Sequence, residues 1–270
     1  ATYGNPTSGT GALIVDGSTT NGGFDLTLPN ANTYSGGTTI YLGTITLTNT
    51  SGSALGSGPV TITSHTPANM GSGGVLIGNT SIGGSLTLAG GGKLFAGTLD
   101  NINETAAPGT FSAAGATLAG NGALFIAINH AIGTAGSNWS LLNISGSLNI
   151  TADAATPLGI SINSLTTGNT SGLVADFDPT QSYSWMIAST TAGITGFDEK
   201  AFKPFTDAST DVPCFQNSLG TGHFFVSQAG NDLFLNFTPV PEPATWGLLL
   251  AGGAVLAAGA RRRRAGQSRG

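Results

Sequence analysis

The stretch that decides the fold is "NTYSGGTTIYLGTITLTNTSGSALGSGPVTI", residues 32–62. In "TTIYLGTITL" (38–47) and "PVTI" (59–62), β-branched and aliphatic residues alternate with Thr, the period of two that belongs to strands with one buried face. The same pattern returns in "GVLIG" (74–78), "SLTLAGGGKL" (85–94) and "GALFIAI" (122–128). Between these stretches lie Gly, Asn and Ser, and nowhere a convincing 3.6-residue periodicity, so crossover helices and a βαβ fold are not expected. Two all-β arrangements remain. In a solenoid, each turn buries its inward apolar residues against the turns above and below. A sandwich of antiparallel strands is the rival.

Composition agrees with short strands and tight turns. Gly accounts for 43 of 270 residues, and only 8% are charged, against roughly 25% in ordinary soluble domains. Apolar residues recur regularly and charge is scarce, which is the opposite of a disordered chain. Five of the eight basic residues are Arg261, Arg262, Arg263, Arg264 and Arg269; the first 238 positions hold only Lys93, Lys200 and Lys203 against twelve acidic residues. A body without arginine cannot neutralise a phosphate backbone, so no nucleic-acid partner is expected. The single cysteine, Cys214, excludes an intramolecular disulfide. The chain starts at Ala1 without Met, as a processed protein or a fragment would.

Within residues 32–62, Tyr34, Ser35, Gly36, Gly37, Thr38 and Thr39 are followed by Gly43, Thr44 and Ile45, and then by Ala54, Leu55, Gly56, Ser57 and Gly58. This succession resembles the autotransporter-associated β-strand repeat, with Ile45 where the family has Leu. The resemblance covers one clear copy and implies a right-handed parallel β-helix on the outer surface of a bacterium. Residues 1–135 are therefore expected to form the β-solenoid. From about Gly136 the texture changes: "SNWSLLNISGSLNIT" (137–151), "SYSWMIASTTAGITGFD" (182–198) and "GHFFVSQAGNDLFLNFTPVPEP" (222–243) carry most of the Trp and Phe. Residues 136–238 read as a β-rich cap closing the solenoid's open edge, or as a separate small β domain.

The last segment, 239–270, has three parts. "PVPEP" (239–243) is extended and solvated, because each proline fixes φ and lacks a backbone donor. The stretch bounded by Trp246 and Ala260 is uncharged. As a helix it would be about 22 Å long, below the ~20 residues of a comfortable membrane span. Arg261, Arg262, Arg263 and Arg264 follow, and the positive-inside rule keeps them cytoplasmic with the acidic body outside. A single C-terminal transmembrane helix with a cleavable neck is the expectation, a permanent anchor the plainer alternative.

Pro241, Glu242 and Pro243, the apolar stretch and the arginine cluster resemble, in order and spacing, the PEP-CTERM sorting signal. That resemblance implies recognition by exosortase, a membrane peptidase, with cleavage near the triplet and release or transfer to the cell surface. It also implies a setting of exopolysaccharide production in a Gram-negative bacterium.

The same residues bear on catalysis. A lyase on a β-helix needs an Arg or Lys beside gathered carboxylates, and two-carboxylate glycosidase chemistry needs a pair held about 5 to 9.5 Å apart. The candidate pairs, Asp176 with Asp178 and Asp198 with Glu199, sit in turn-like sequence. "GGGK" (90–93) lacks the spacing of a phosphate loop and reads as a turn, and the "GN" of "GNDLFLNF" reads as a hairpin turn. An autotransporter passenger would precede a membrane barrel, and residues 264–270 do not read as a barrel strand. The expectation is an exported, non-enzymatic surface or matrix protein with no catalytic residue, cofactor or metal. Its expected partners are exosortase, the membrane, and exopolysaccharide or surface proteins. A polysaccharide-acting enzyme on the same scaffold is the alternative.

Overall fold

A computed structural model describes residues 2–4, 6–17, 24–66, 73–100, 105–206 and 214–240. The early strands are β1 (Leu13–Asp16), β2 (Asp25–Leu28), β3 (Thr38–Leu42), β4 (Thr44–Leu47), β5 (Val60–Ile62), β6 (Val75–Gly78) and β7 (Ser85–Leu88). They are followed by β8 (Lys93–Asp100), β9 (Thr105–Pro108), β10 (Thr110–Ala113), β11 (Gly115–Leu118), β12 (Ala123–Ile128) and β13 (Leu141–Ile144). The later strands are β14 (Leu148–Ile150), β15 (Leu158–Ser164), β16 (Tyr183–Thr190), β17 (Ile194–Thr195), β18 (Phe202–Phe205), β19 (His223–Ala229) and β20 (Asp232–Thr238).

The chain visits three sheets in rotation. The first has the order β1-β3-β5-β7-β11-β14-β17 and the second β18-β15-β12-β8-β6-β4-β2, and every neighbour in both is parallel. The third begins as single parallel bridges, Ser53 to Ser81 to Ser112, and then widens into β10, β13 and β16. This all-β, parallel arrangement is compatible with a β-helix and differs from the antiparallel sandwich. Pairings β11 to β14 and β12 to β15 carry the first two sheets across position 136.

Alternation in the sequence becomes stacking in the fold. Val15, Ile40, Ile62, Leu88, Leu118 and Ile150 occupy matching positions of successive strands in the first sheet, all pointing inward and buried. Ile45, Leu76, Leu94, Leu124 and Ile160 do the same in the second. Each such side chain contributes about 1.5–3 kcal/mol by leaving water. Thr38–Leu47, written in sequence as one run, is two strands in two sheets. Gly43, at φ 111°, turns the chain between them, with the Phe24 carbonyl oxygen 2.5 Å from where a Cβ would lie.

Contrary to the expectation of one buried face per strand, the strands of the second sheet do not all bury a single face. All six residues of β12 are buried, and Ile77, Phe95 and Phe125 stack on the outer side. The reason is an excursion. The far end of β8 folds back antiparallel against β9, and Ala106 and Leu165 pack over this outer face. Such doubly covered parallel strands read as continuous apolar runs.

The third sheet ends differently from the other two. β20 pairs antiparallel with β16, and β19 with β20, through the two-residue turn Gly230-Asn231. Behind this hairpin Phe177, Tyr183, Trp185, Phe215, Phe224 and Phe237 form a continuous aromatic cluster. The Trp185 indole is 1% exposed and donates its N–H to the Ala131 carbonyl at 2.9 Å.

Two substitutions test this packing. At Gly84 an added Cβ would land on the Gly58 carbonyl of the circuit below, whereas at Gly115 the nearest atom is the Ser147 carbonyl oxygen at 3.7 Å. Gly84→Ala should therefore lose about 1–3 kcal/mol and Gly115→Ala stay within about 0.5 kcal/mol of the parent, read by thermal melting. Trp185→Ala should cost about 3–5 kcal/mol in chemical denaturation.

Candidate functional site

β20 delivers the chain to the sorting segment. It is held on both sides, by β16 and by β19, and only Pro239 and Val240 separate its last residue, Thr238, from Pro241. Val240 is 46% exposed, and its carbonyl accepts a hydrogen bond from the Thr221 hydroxyl at 2.5 Å. Pro241, Glu242, Pro243, Trp246, Ala260, Arg261, Arg262, Arg263 and Arg264 lie outside the described residues. Among the described residues no helix is long and apolar enough to cross a membrane.

Three of the four carboxylates singled out in sequence are spent on backbone donors. Asp176 accepts from the amides of Ala131 at 2.7 Å and Ile132 at 3.2 Å, with His130 Nδ1 3.7 Å away. Asp178, two residues on, turns to the amide and hydroxyl of Thr180 at 2.9 and 2.8 Å. Asp198 caps the short 3-10 turn Glu199–Ala201 through the Lys200 amide. Asp153 repeats the device on Ala155 and Thr156. Among the described residues, no three His, Cys, Asp or Glu side chains gather where they could hold a metal ion. Lys93, Lys200 and Lys203 belong to β8, to the 3-10 turn and to β18 respectively. "GGGK" is the turn between β7 and β8, with Gly91 at φ 84°. Cys214 is half-buried and its thiol is free.

The stretch 32–62 turns its motif residues to structural use. Tyr34 is buried, and its phenol lies 2.6 Å from the Thr38 hydroxyl. Burial pushes that phenol above its ordinary pKa, outweighing the Thr38 hydrogen bond, which pulls the other way. Leu55 is fully buried. Past the far ends of β1 and β5, Asp16 and His65 pair at 2.8 Å, and the His65 ring stacks on Tyr41 with centroids 4.5 Å apart. At the first circuit an apolar cavity of about 290 Å³ is lined in part by Tyr3, Leu13, Leu26, Leu28 and Tyr34.

Two further features run from circuit to circuit. "SLTLAGGGKLFA" (85–96) and "GATLAGNGALFI" (115–126) lie one circuit apart in strict register. Gly91 and Asn121 take the same left-handed turn position, which Asn tolerates better than most residues. The common "TLAG" was the available signal. The second feature is a column of outward side chains in the first sheet, Thr39, Thr61, Thr87, Thr117, Asn149 and Thr195, each opposite the next. No short motif carries it, because its members are separated by whole circuits.

The capping carboxylates make a testable pH effect. Hydrogen bonds from Thr156, its amide first, hold the Asp153 carboxyl below the usual range, and those from Thr180, amide first again, do so for Asp178. A depressed folded pKa stabilises the fold above the unfolded value of about 3.9, and that stabilisation is lost as pH falls through the folded value. The double variant Asp153→Asn, Asp178→Asn should melt lower than the parent near neutrality and lose less on further acidification. Identical melting-versus-pH curves would mean that the caps carry no stability.

Residues 239–264 match the family model described as the PEP-CTERM protein-sorting motif. No curated protein matches the chain, and no solved structure does. The match does not show the autotransporter-associated repeat to which residues 32–62 are similar. What it supports is an exported protein that exosortase, a membrane protease, recognises and processes at the membrane before surface release.

Proposed function

We propose that the chain is a non-enzymatic surface or extracellular-matrix protein, sorted and cleaved by exosortase and held among exopolysaccharide. The observation that carries this reading is the sorting-motif match over 239–264, beginning one residue after the last strand of the body. In this reading the stretch from Trp246 to Ala260 crosses the inner membrane transiently, Arg261 to Arg264 stay in the cytoplasm, and cleavage near Glu242 frees an acidic body. The body is a right-handed β-helix, with residues 136–238 closing one end.

A scaffold role is supported by where the charges go. The body's aspartates at 153, 176, 178 and 198 hold loop amides. General acid–base chemistry needs such groups within hydrogen-bond reach of a common substrate atom.

Mass spectrometry of the protein recovered from the cell surface is the test. The expected mature form ends near Glu242 and lacks the arginines. In the variant Pro241→Ala, Glu242→Ala the intact precursor should stay in the membrane fraction with Arg261 to Arg264 retained. A surface-exposed protein that keeps its arginine end would point to a lasting anchor and overturn the processing step.

A further inference from the structure

We infer that the two loops around the exit of β20, residues 178–182 and 218–222, are a docking face for the membrane peptidase that reads the sorting motif; this rests on the processing step proposed above and adds the surface of the body that the peptidase meets. The loops flank the departing strand. Tyr183 of β16 pairs with Phe237, and His223 of β19 with Thr238, which puts the ends of both loops beside the start of the neck. The Thr221 hydroxyl then holds the neck down, donating to the Val240 carbonyl at 2.5 Å. The loops also meet each other: an added Cβ at Gly220 would lie 3.7 Å from the Pro179 Cβ. Each is closed internally, one by the Asp178 amide donating to the Tyr183 hydroxyl at 2.8 Å, the other by the Gly222 amide donating to the Leu219 carbonyl at 2.9 Å. Gln181, Ser182, Ser218, Gly220 and Thr221 are exposed.

The reach of the chain selects the occupant. An extended chain spans at most about 3.6 Å per residue, so Glu242 stands no more than about 7 Å from Val240. Hydrolysis of a bond there needs catalytic groups within about 3 Å of the reacting atoms. A peptidase brought that close to a folded body touches the nearest surface of the body, and that surface is the pair of loops. Pro239 and Pro241 give no slack, because each fixes φ and keeps the neck extended. The bilayer is the other candidate. Its apolar stretch opens at Trp246, six residues past Val240, a reach of up to about 22 Å that leaves room for solvent between lipid and body. The loops also carry no lysine or arginine with which to meet anionic headgroups. Their one acid, Asp178, is already held by the amide and hydroxyl of Thr180.

The test follows conversion of the full-length precursor in cells that carry exosortase, by pulse-chase with mass spectrometry of the product. Gln181→Arg with Ser218→Arg adds bulk and charge to both loops and should slow conversion roughly tenfold or more. Inserting Gly-Ser-Gly-Ser-Gly-Ser between Val240 and Pro241 of that double variant lets the peptidase stand clear of the body, and should restore the parent's rate. Asn143→Arg, exposed in β13 and paired with Ser189 at the far end of β16, should convert like the parent. If the arginine pair fails to fold, Ser182→Arg alone, with and without the insert, makes the same comparison. Parental conversion of the loop variants, slow conversion that the insert does not relieve, or equal slowing by Asn143→Arg would each overturn the assignment. So would binding of the cleaved parent body to vesicles of phosphatidylethanolamine and phosphatidylglycerol, which would make the bilayer the occupant. A parent that is never cleaved overturns the processing step itself, whereas a parent and loop variants cleaved alike overturn the docking face alone.

Discussion

The whole body depends on one repeated requirement: each circuit must set an aliphatic side chain directly on the one beneath it. Ile40 on Ile62 on Leu88 on Leu118 is the clearest run, all fully buried. Because side chains alternate with a period of two, a slip of one residue in any strand would send that column into water and bring Thr into the core. Register is thereby fixed jointly by all circuits. The close backbone approaches at the corners follow from the same constraint, since circuits can stack at strand spacing only where no Cβ intervenes, as at Gly43 and Gly84.

That constraint explains what was legible in sequence. Alternation in 38–47, 59–62 and 85–94 gave strands of the right kind, and the glycines between them gave corners. Features depending on contacts between circuits were not legible. The runs 38–47 and 85–94 hide a change of sheet, because a corner residue such as Gly43 breaks the geometry without breaking the polar-apolar alternation. The cover over Phe95 and Phe125 depends on β9 folding back on β8, and nothing local in either strand announces it. "GALFIAI" did carry a warning: its unbroken apolar character exceeds what one buried face requires.

The carboxylate pairs teach a related lesson about spacing. Asp176 and Asp178 share one face only if their segment is extended, and it is a pair of turns. Aspartates in Gly- and Thr-rich loops accept from nearby amides because the side chain is short enough to close a local ring. In a chain so poor in charge, those loops would otherwise leave amide groups facing only solvent or apolar neighbours. Asp153, Asp176, Asp178 and Asp198 are thereby explained by the demands of turning.

Stacking without a built-in end leaves strand edges that invite further pairing, and a secreted chain meets other copies of itself at every stage of export. The third sheet deals with this by reversing direction. β19 and β20 add antiparallel strands beside β16, so the next position in that sheet no longer offers the parallel template used by the earlier circuits. The aromatic cluster holds the hairpin in place: Phe237 of β20 and Phe224 of β19 pack on each other with ring centroids 5.2 Å apart, and both contact Trp185 or Tyr183 of β16. Anchoring of this strength suits the position of β20, the last element before the sorting residues. Any pull transmitted along Pro239 and Val240 reaches a strand bonded on both sides, so the load is shared by two ladders of hydrogen bonds before it can reach the aliphatic columns of the first two sheets.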